Sequence, residues 1–529
     1  SDALEMMEKY PEYHYSQSMA QVYVWMEEYY PDLFKKIQQR VKEGRWEIVG
    51  GMWVEPDCNI PSGESFVRQL LYGKRYFQEK FGVDVRVGWN VDSFGYNWNL
   101  PQFYKKAGVE SFVTMKLMMM DTEPFPYHAF LWQAPDGSQV QVHWPTRNFY
   151  GGNREDFIKM VRSAVALSKE SGLKKLLFPY GVGDHGGGPT PKEIEGIRRL
   201  ANEPVFFTMA PSSAKHYFNQ LGNASLPLWD NEIYNQFHRG TYTSHADNKA
   251  NNRRAEHLTT QAETFSSFAS LFGLSYPHKE LTEVWKKVLF NQQHDILPGT
   301  GIPEVHQDAM EDYRQIFQRG GKVLNESLHH LAAQVNSEGG GIPLIVFNPL
   351  AWIRTDVAEV EIELPPSTRS LKVFDDEGKE MVSEIVHDKG KVKPLFIAEE
   401  VPSMGYRVFY IKTSDQVEKT QSSIAVNKEE IENEFFKIKL DPATGTMRSI
   451  KDKRYGREVL DGSGKGNIIQ AFADTESAWD LLGPCTQVEH WDLTEVDYIA
   501  VVEQGPVRAM LRVTRRWRSS QFVQDIILY

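Results

Sequence analysis

Residues 85–96 read VRVGWNVDSFGY, and this stretch carries the clearest signal for the fold. Its first part is mainly apolar, which is typical of a parallel strand that helices cover on both faces. Asp92 follows the apolar run directly and precedes a turn that contains Gly95. Because functional groups gather at the carboxyl ends of strands in parallel α/β domains, Asp92 is a candidate for catalysis or metal binding. A capping role for the next helix is the structural alternative.

Apolar runs of the same kind alternate with helix-like patterns through about the first 210 residues. The other apolar runs are residues 13–17, 46–54, 111–117, 175–180 and 205–209. The helix-like patterns between them are residues 18–43, with a break or kink expected at Pro31, and residues 66–81, 157–167 and 191–200. One hairpin interrupts the alternation, with strands at 130–134 and 139–144 around a Pro-Asp-Gly-Ser turn. Strands that alternate with helices predict a βα-repeat domain with a parallel sheet or barrel.

The pattern changes twice further along the chain. Residues 251–334 are helical in pattern, and three apolar stripes predict three helices in a small bundle. Three consecutive glycines at 339–341 then mark a boundary. Beyond them, short stretches of β-type alternation are separated by turn residues, which is typical of an antiparallel β-sandwich. The predicted fold class is therefore multidomain: α/β, then α, then β.

The composition excludes several classes of protein. The chain has 529 residues, 41% of them hydrophobic and 25% charged, which excludes a disordered or fibrous chain. Its formal charge of −12 argues against nucleic-acid binding, which depends on a basic surface. The two cysteines, Cys58 and Cys485, exclude a disulfide scaffold and a four-thiolate metal site. No apolar run approaches the roughly 20 residues of a transmembrane helix, so no membrane span is expected.

Two more strand ends could carry chemistry. Residues 181–189 surround Asp184 and His185 with glycines, which allow the backbone to approach a ligand closely. A glycine-rich loop that merely turns a corner is the alternative. The run at 46–54 contains Trp53 and leads into an acidic string that begins at Glu55, an arrangement that suits a sugar site. A lone tryptophan is nevertheless more often a core residue.

Histidines near predicted helix ends are possible metal ligands. His294 ends a predicted helix, and stabilisation of the helix C-terminus is its structural alternative. His245 and Asp247 have a spacing that also allows metal binding, but we expect this pair to be structural or solvated.

The chain begins at Ser1 next to an amphipathic helix pattern and ends at Tyr529 within an apolar run. We therefore expect a fragment cut at both ends, with part of the chemistry upstream.

Taken together, several strings resemble glycoside hydrolase family 38, the α-mannosidases, and are more similar to its cytosolic and bacterial branch than to the Golgi and lysosomal enzymes. The strings are IVGGMWVEPD at 48–57, NVDSFG at 90–95, GDHGGG at 183–188, HRGTYTS at 238–244 and NQQHDILPG at 291–299. Because several long strings occur in the right order, the resemblance is specific, and it covers essentially the whole chain.

The resemblance implies an architecture and an activity. It implies a seven-stranded parallel α/β barrel at residues 1–245, a three-helix bundle that contributes to the active site at 246–338, and antiparallel β-sandwich at 339–529. The implied activity is that of a retaining α-mannosidase, which hydrolyses terminal α-mannosidic bonds of oligosaccharides or glycans. Asp92 is then the nucleophile, and Asp184 is the acid/base. The substrate-binding residues are expected to be Phe94, Trp53, Asp295 and Lys116.

The family also holds one divalent metal, expected to be zinc with cobalt possible, that binds substrate hydroxyls. By resemblance Asp92 and His294 are two of its four ligands. The other two belong to an early His-x-Asp motif, which this sequence does not contain, because His14 has Ser16 two positions on. We expect the missing pair upstream of Ser1, and we expect this fragment to bind metal poorly and to have little activity.

Two other functions stay open. A metal-dependent carbohydrate deacetylase on a related barrel would use Asp92 and His294 to hold a hydrolytic metal and would release acetate. A non-catalytic glycan-binding protein would bind sugar without turnover. The expected partner is a mannose-containing oligosaccharide, with a possible homo-oligomer and with no nucleic acid or membrane. The branch likeness and the two lone cysteines predict a cytoplasmic location.

Overall fold

The computed structural model describes residues 2–118, 125–144, 162, 164–169, 171–181, 188–201, 209–222, 224–365, 368–388, 391–416, 422–462, 464–474, 479 and 488–529. The chain divides into two compact units. Unit 1 comprises Ser1–Ser266, Ser275–Glu326 and Glu476–Leu481, and unit 2 comprises Ser267–Leu274, Ser327–Thr475 and Leu482–Tyr529. The domain boundaries at 245 and 338 stay predictions. In the part of the chain described, no helix is long and apolar enough to cross a bilayer.

The first helices of unit 1 are mostly short, and some of them begin at a proline or a capping serine. They are α1 (Asp2–Lys9), α2 (Ala20–Tyr29), α3 (Pro31–Lys42), α4 (Gly63–Phe81), α5 (Leu100–Lys106), α6 (Pro191–Ala201) and α7 (Ala214–Leu221). Pro31 opens α3 and separates it from α2, which confirms the predicted break. The backbone N–H of Ser65 donates to the hydroxyl of Ser62 at the start of α4, and Gly82 ends that helix in the left-handed conformation at φ 69°.

The strands of unit 1 are short and form two sheets. They are β1 (Tyr15–Gln17), β2 (Trp46–Ile48), β3 (Val87–Trp89), β4 (Ser111–Val113), β5 (Ala129–Gln133), β6 (Gln139–His143) and β7 (Leu228–Trp229). β1 and β2 pair in parallel. The other sheet has the order β3-β4-β6-β5-β7, and all its neighbours are parallel except β5 and β6. The antiparallel pair is the predicted hairpin, which is thereby confirmed.

The described strands do not form one closed barrel of seven. Residues 175–180 are described and form no strand, and residues 205–208 lie outside the described residues. The predicted strand at 46–54 pairs only over its first three residues, because Gly50 and Gly51 turn the backbone at φ 83° and 76°. The N–H of Gly50 nevertheless donates to the carbonyl of Val87 at 2.8 Å, which joins this segment to β3.

Three long helices occupy the segment for which three helices were predicted. They are α8 (Ala246–Leu271), α9 (His278–Phe290) and α10 (Pro303–Ala332). Ala262, Leu281 and Val323, one residue from each helix, are buried in a common cluster. Close approach of α8 and α10 is possible because Gly320 has no side chain where Leu258 packs.

Unit 2 is built from antiparallel sheets, as predicted for the last part of the chain. Its strands are β8 (Ile342–Asn348), β9 (Arg354–Glu359), β10 (Ser370–Asp375), β11 (Glu380–Met381), β12 (Ser383–Asp388), β13 (Lys391–Val401), β14 (Gly405–Ser414), β15 (Ala425–Val426), β16 (Glu430–Glu432), β17 (Phe436–Leu440), β18 (Met447–Asp452), β19 (Arg457–Glu458), β20 (Gln470–Phe472), β21 (His490–Asp492), β22 (Val496–Gln504), β23 (Ala509–Trp517) and β24 (Ser520–Leu528). The sheets β11-β10-β14-β8 and β12-β13-β9 share one core, in which Val373 and Phe396 are both fully buried. Two sheets that bury their inner faces against each other form a sandwich.

Candidate active site

The parallel pairing of β3 and β4 places Asp92 beside Lys116. Beyond the strands, the N–H of Asn90 donates to the carbonyl of Val113 at 3.2 Å, and the N–H of Met115 donates to the carbonyl of Val91 at 3.1 Å. The two segments that follow β3 and β4 therefore leave the sheet side by side at the same edge. Lys116 Nζ lies 2.6 Å from Asp92 Oδ1.

This ion pair is shielded from water on the lysine side. The side chain of Lys116 is 9% exposed, whereas that of Asp92 is 28% exposed. Lys116 Nζ also lies 5.4 Å from the centre of the Phe94 ring, a cation–π distance. The carboxylate of Asp92 is thus open to a ligand, while its counter-ion is covered.

His294 approaches the second oxygen of Asp92 from the segment that follows α9. Its Nε2 lies 3.5 Å from Asp92 Oδ2, and its Nδ1 donates to the carbonyl of Glu55 at 2.9 Å. A carbonyl can only accept, so Nδ1 carries a proton, and Nε2 is the ring nitrogen that faces Asp92. Pro56 and Gln293 form an isolated antiparallel bridge that holds these two segments together.

The electrostatics favour an ionised Asp92. Burial opposes its ionisation, but the hydrogen bond with His294 and the charge of Lys116 outweigh burial and hold the pKa of this carboxyl well below its usual range. For His294, burial lowers the pKa, but the hydrogen bond with Asp92 and the charge of Asp295 outweigh it and raise the pKa. Around Asp92, two cationic groups therefore stabilise one carboxylate.

Glu55 supplies a second carboxylate beneath the site. Its side chain accepts a hydrogen bond from the hydroxyl of Ser18, and the residue is 7% exposed. Burial raises the pKa of Glu55, and the charge of Asp92 raises it further, although His294 and Ser18 oppose this. The sequence marked Glu55 only as part of an acidic string. Its contact with His294 could not be predicted, because the backbone carbonyl makes it and not the side chain.

The remaining predicted residues differ in where they lie. The ring of Phe94 lies 6.4 Å from that of His294, and Asp295 Oδ2 lies 3.7 Å from His294 Nε2 with its side chain 45% exposed. Both therefore belong to the same site. Trp53 is 1% exposed and packs in the core against Tyr76, with a ring distance of 6.4 Å, so it has no face open to a sugar in this structure.

Other candidate residues do not meet this cluster in the described structure. Asp184 and His185 lie outside the described residues. His245 Nδ1 lies 3.9 Å from Asp247 Oδ1, and its ring stacks on His306 at 4.0 Å. The described contacts of this pair are thus with His306 and with each other, and its structural or solvated role stays a prediction.

Asp92 and His294 have the chemistry of zinc ligands. A carboxylate oxygen and an imidazole Nε2 face each other, and the Nδ1 contact with a backbone carbonyl is the usual outer-shell support of a metal-bound histidine. Zinc is commonly held by four ligands. Among the described residues, no group of three or more His, Cys, Asp or Glu side chains could hold a metal ion. Asp92 and His294 could thus supply two ligands of a metal site.

Three family models match the chain in sequence order. They are described as the glycosyl hydrolases family 38 N-terminal domain at residues 1–243, the alpha mannosidase middle domain at 236–331, and the glycosyl hydrolases family 38 C-terminal domain at 431–529. The middle model overlaps the helices that precede and carry His294, and the first contains Asp92 and Lys116.

Named proteins are similar over most of the chain. Human alpha-mannosidase 2C1 is 32% identical over 98% of this chain and 49% of its own length, and alpha-mannosidase G of Dictyostelium discoideum is 29% identical over 96% and 49%. The chain thus spans about half the length of these curated relatives. A solved alpha-mannosidase from Enterococcus faecalis V583 has a TM-score of 0.78 at 20% identity, covering 97% of this chain and 64% of that one, so it shares the fold. On these matches, the chain belongs to glycosyl hydrolase family 38.

Proposed function

We propose that this chain carries the catalytic machinery of a retaining α-mannosidase that removes terminal mannose from oligosaccharides or glycans. One observation carries the proposal. A solvent-accessible carboxylate, Asp92, lies at the strand edge with Lys116 on one oxygen and His294 on the other. Membership of family 38 and the similarity to named α-mannosidases support the choice of substrate.

Asp92 is the proposed nucleophile. Its low pKa keeps it ionised at neutral pH, as a nucleophilic carboxylate requires. In the first step an oxygen of Asp92 bonds to the anomeric carbon while the glycosidic C–O bond breaks, which gives a mannosyl ester through an oxocarbenium-like transition state. Lys116 remains charged beside the ester and stabilises the carboxylate again when it departs.

Asp184 is the proposed acid/base, although it lies outside the described residues. It gives its proton to the departing oxygen in the first step. In the second step it takes a proton from the water that attacks the ester, which releases mannose with retained configuration. Retention requires the two carboxyl groups to lie about 5–5.5 Å apart.

Asp92 and His294 would hold a divalent metal, with zinc expected and cobalt possible. A divalent ion at these ligands supplies a Lewis acid that orients substrate hydroxyls. The Nδ1 contact of His294 with Glu55 keeps Nε2 available for this role. The further ligands are not among the described side chains.

Asp295 would bind the mannose that is cleaved, because it offers a half-exposed carboxylate for sugar hydroxyls. Phe94 is 1% exposed, so its ring would support the site from behind, against Lys116 and His294. The hydroxyl of Thr300 donates to Asp295 Oδ1 at 2.6 Å and restricts its rotation. A homo-oligomeric state and a cytoplasmic location stay predictions.

The test compares Asp92→Asn with Asp32→Asn on α-mannotriose and on an acetylated glycan, after incubation with zinc. Asp32 is a suitable control because its side chain is 91% exposed. We expect Asp92→Asn to lose mannose release and Asp32→Asn to keep it, with the α-anomer appearing first in the NMR spectrum. Release of acetate without mannose would instead favour the deacetylase. Glycan binding without turnover that survives Asp92→Asn would favour the non-catalytic protein.

A further inference from the structure

Three exposed aromatic side chains, which we call the aromatic rim, surround the loop that carries Phe94 and have no part in the mechanism above. Tyr234 is 40% exposed, Phe237 47% and Trp479 44%, and all belong to unit 1. Half-exposed rings near the proposed active site offer apolar faces that a ligand could cover.

His238 connects two of the rim residues to Phe94. It is 6% exposed, and its ring lies edge-on to Phe94 at 5.4 Å and 84°. The ring of Phe237 lies 5.0 Å from that of His238, and the ring of Trp479 lies 6.1 Å from it. Phe94 in turn contacts His294, so a continuous series of ring contacts runs from the site to Phe237 and Trp479.

Tyr242 connects the third rim residue to the same loop. Its hydroxyl donates to the carbonyl of Phe94 at 2.9 Å, and Tyr234 stacks on it with rings 6.2 Å apart at 17°. The backbone is close here, because a Cβ on Gly95, at φ 101°, would lie 3.1 Å from the Tyr242 hydroxyl oxygen. The rim is thus fixed to the Phe94 loop at two places.

Asn235 directly follows the rim residue Tyr234 in the chain. It is 2% exposed, and neither Oδ1 nor Nδ2 has a hydrogen-bond partner within the described chain. The ligand chemistry follows from the three rings, because flat aromatic faces suit the apolar C–H faces of a sugar.

We propose that the aromatic rim is a binding site for the sugar units that follow the cleaved mannose, so that the preferred substrate is an α-linked oligosaccharide rather than a simple mannoside. This inference rests on the proposed function. Its physical basis is that rigid rings lose little conformational entropy on binding. Because the rim contacts only the leaving part of the substrate, it should influence oligosaccharides and not substrates that lack a second sugar.

The experiment measures kcat/KM for α-mannotriose and for α-mannosyl fluoride, whose leaving group is a single atom. The ratio of interest is kcat/KM for α-mannotriose divided by kcat/KM for α-mannosyl fluoride. Trp479→Ala and Phe237→Ala are each expected to lower this ratio roughly three- to tenfold. Trp479→Phe should restore most of the ratio. The controls are Trp352→Ala and Tyr29→Ala, which replace aromatics that are 60% and 63% exposed elsewhere and should leave the ratio unchanged.

A ratio that stays constant in both rim variants would overturn the rim while leaving the mannosidase proposal intact. If the unsubstituted protein hydrolyses neither substrate, as its expected low metal content allows, calorimetric titration with mannotriose and with mannose decides the rim separately. Weaker binding of mannotriose alone in Trp479→Ala supports the rim in that case. Equal binding of mannotriose by the variant and the unsubstituted protein refutes the rim. A variant whose only change is in self-association also refutes it.

Discussion

The carbonyl oxygen of Glu55 accepts two hydrogen bonds from His294, one from the ring Nδ1 at 2.9 Å and one from the backbone N–H at 3.2 Å. One backbone atom thereby fixes both the position of the histidine and its tautomer. The geometry around Asp92 consequently depends on where the segment that carries Glu55 lies.

The first prediction concerns the support of that segment. Ser18→Ala removes the hydroxyl that donates to the buried Glu55 carboxylate, and we expect it to lower the free energy of unfolding by about 1–3 kcal/mol. In a Glu55→Gln background, Ser18→Ala should lower the free energy of unfolding by a smaller amount. A double-mutant cycle by chemical denaturation measures the coupling, and a coupling of zero would show that the hydrogen bond contributes nothing.

The second prediction concerns the lysine beside the proposed nucleophile. Lys116→Met removes one of the two cationic groups next to the Asp92 carboxylate, and we expect kcat/KM for a mannoside to fall at least about tenfold. Lys35→Met is the control, because that side chain is 74% exposed and lies in a surface pair. Unchanged kinetics in a correctly folded Lys116→Met protein would exclude a role for this residue.

The third prediction concerns the glycine that lets α4 lie on the segment before Glu55. A Cβ on Gly73 would lie 2.4 Å from the carbonyl oxygen of Gly51 and 2.5 Å from the carbonyl carbon of Met52, so Gly73→Ala must displace backbone. We expect it to destabilise the protein by about 1–3 kcal/mol. Gly321→Ala is the matched control, because nothing lies within 4 Å of its added Cβ, and it should stabilise α10 by up to about 1 kcal/mol. Thermal unfolding of the two variants should therefore shift in opposite directions.

The fourth prediction concerns acid stability. Burial lowers the pKa of His143 to about 4, and the hydrogen bond to the carbonyl of Leu177 opposes this only in part. The neutral ring donates from Nε2 to that carbonyl and accepts at Nδ1 from Tyr217. Its pKa in the unfolded chain is about 6.5, so between these values the unfolded state binds more protons and stability falls as the pH falls. The slope should reach about 1.4 kcal/mol per pH unit.

His143→Gln should flatten this slope, since glutamine can donate to Leu177 without titrating. His216→Gln, a change on the exposed side of α7, should leave it as it is. Denaturation curves at pH 7, 6 and 5 provide the measurement, and an equal slope in all three proteins would contradict the assignment.

The fifth prediction concerns metal content. Asp92 and His294 supply a carboxylate and an imidazole, and no group of three donors occurs among the described side chains, so we expect well under one zinc ion per chain after dialysis. His294→Ala should remove what remains. Elemental analysis measures this directly, and one tightly held zinc ion per chain would contradict the expectation.

The sequence predicted the site best where side chains carry the signal. Asp92 and His294 came from strings of residues, and the parallel pairing of β3 and β4 explains why Lys116 joins them. The role of the Glu55 carbonyl could not be predicted, because every residue has the same backbone oxygen. Position along a strand was also misleading for Trp53, since two glycines turn the chain before it and direct it into the core.

The sequence predicted the types of secondary structure better than it predicted which residues form each element. The hairpin of β5 and β6 followed from its turn residues, whereas residues 175–180 are apolar yet form no strand. Apolar character alone does not distinguish a strand from an irregular segment, and residues 176–180 are only partly buried.

The contact between Glu55 and His294 spans 239 positions of sequence. During synthesis Asp92 and Lys116 emerge from the ribosome well before the imidazole that completes their surroundings, and domains fold in the order in which they are made. A nascent polypeptide therefore carries this carboxylate in an unfinished setting until translation has passed the helix that precedes His294.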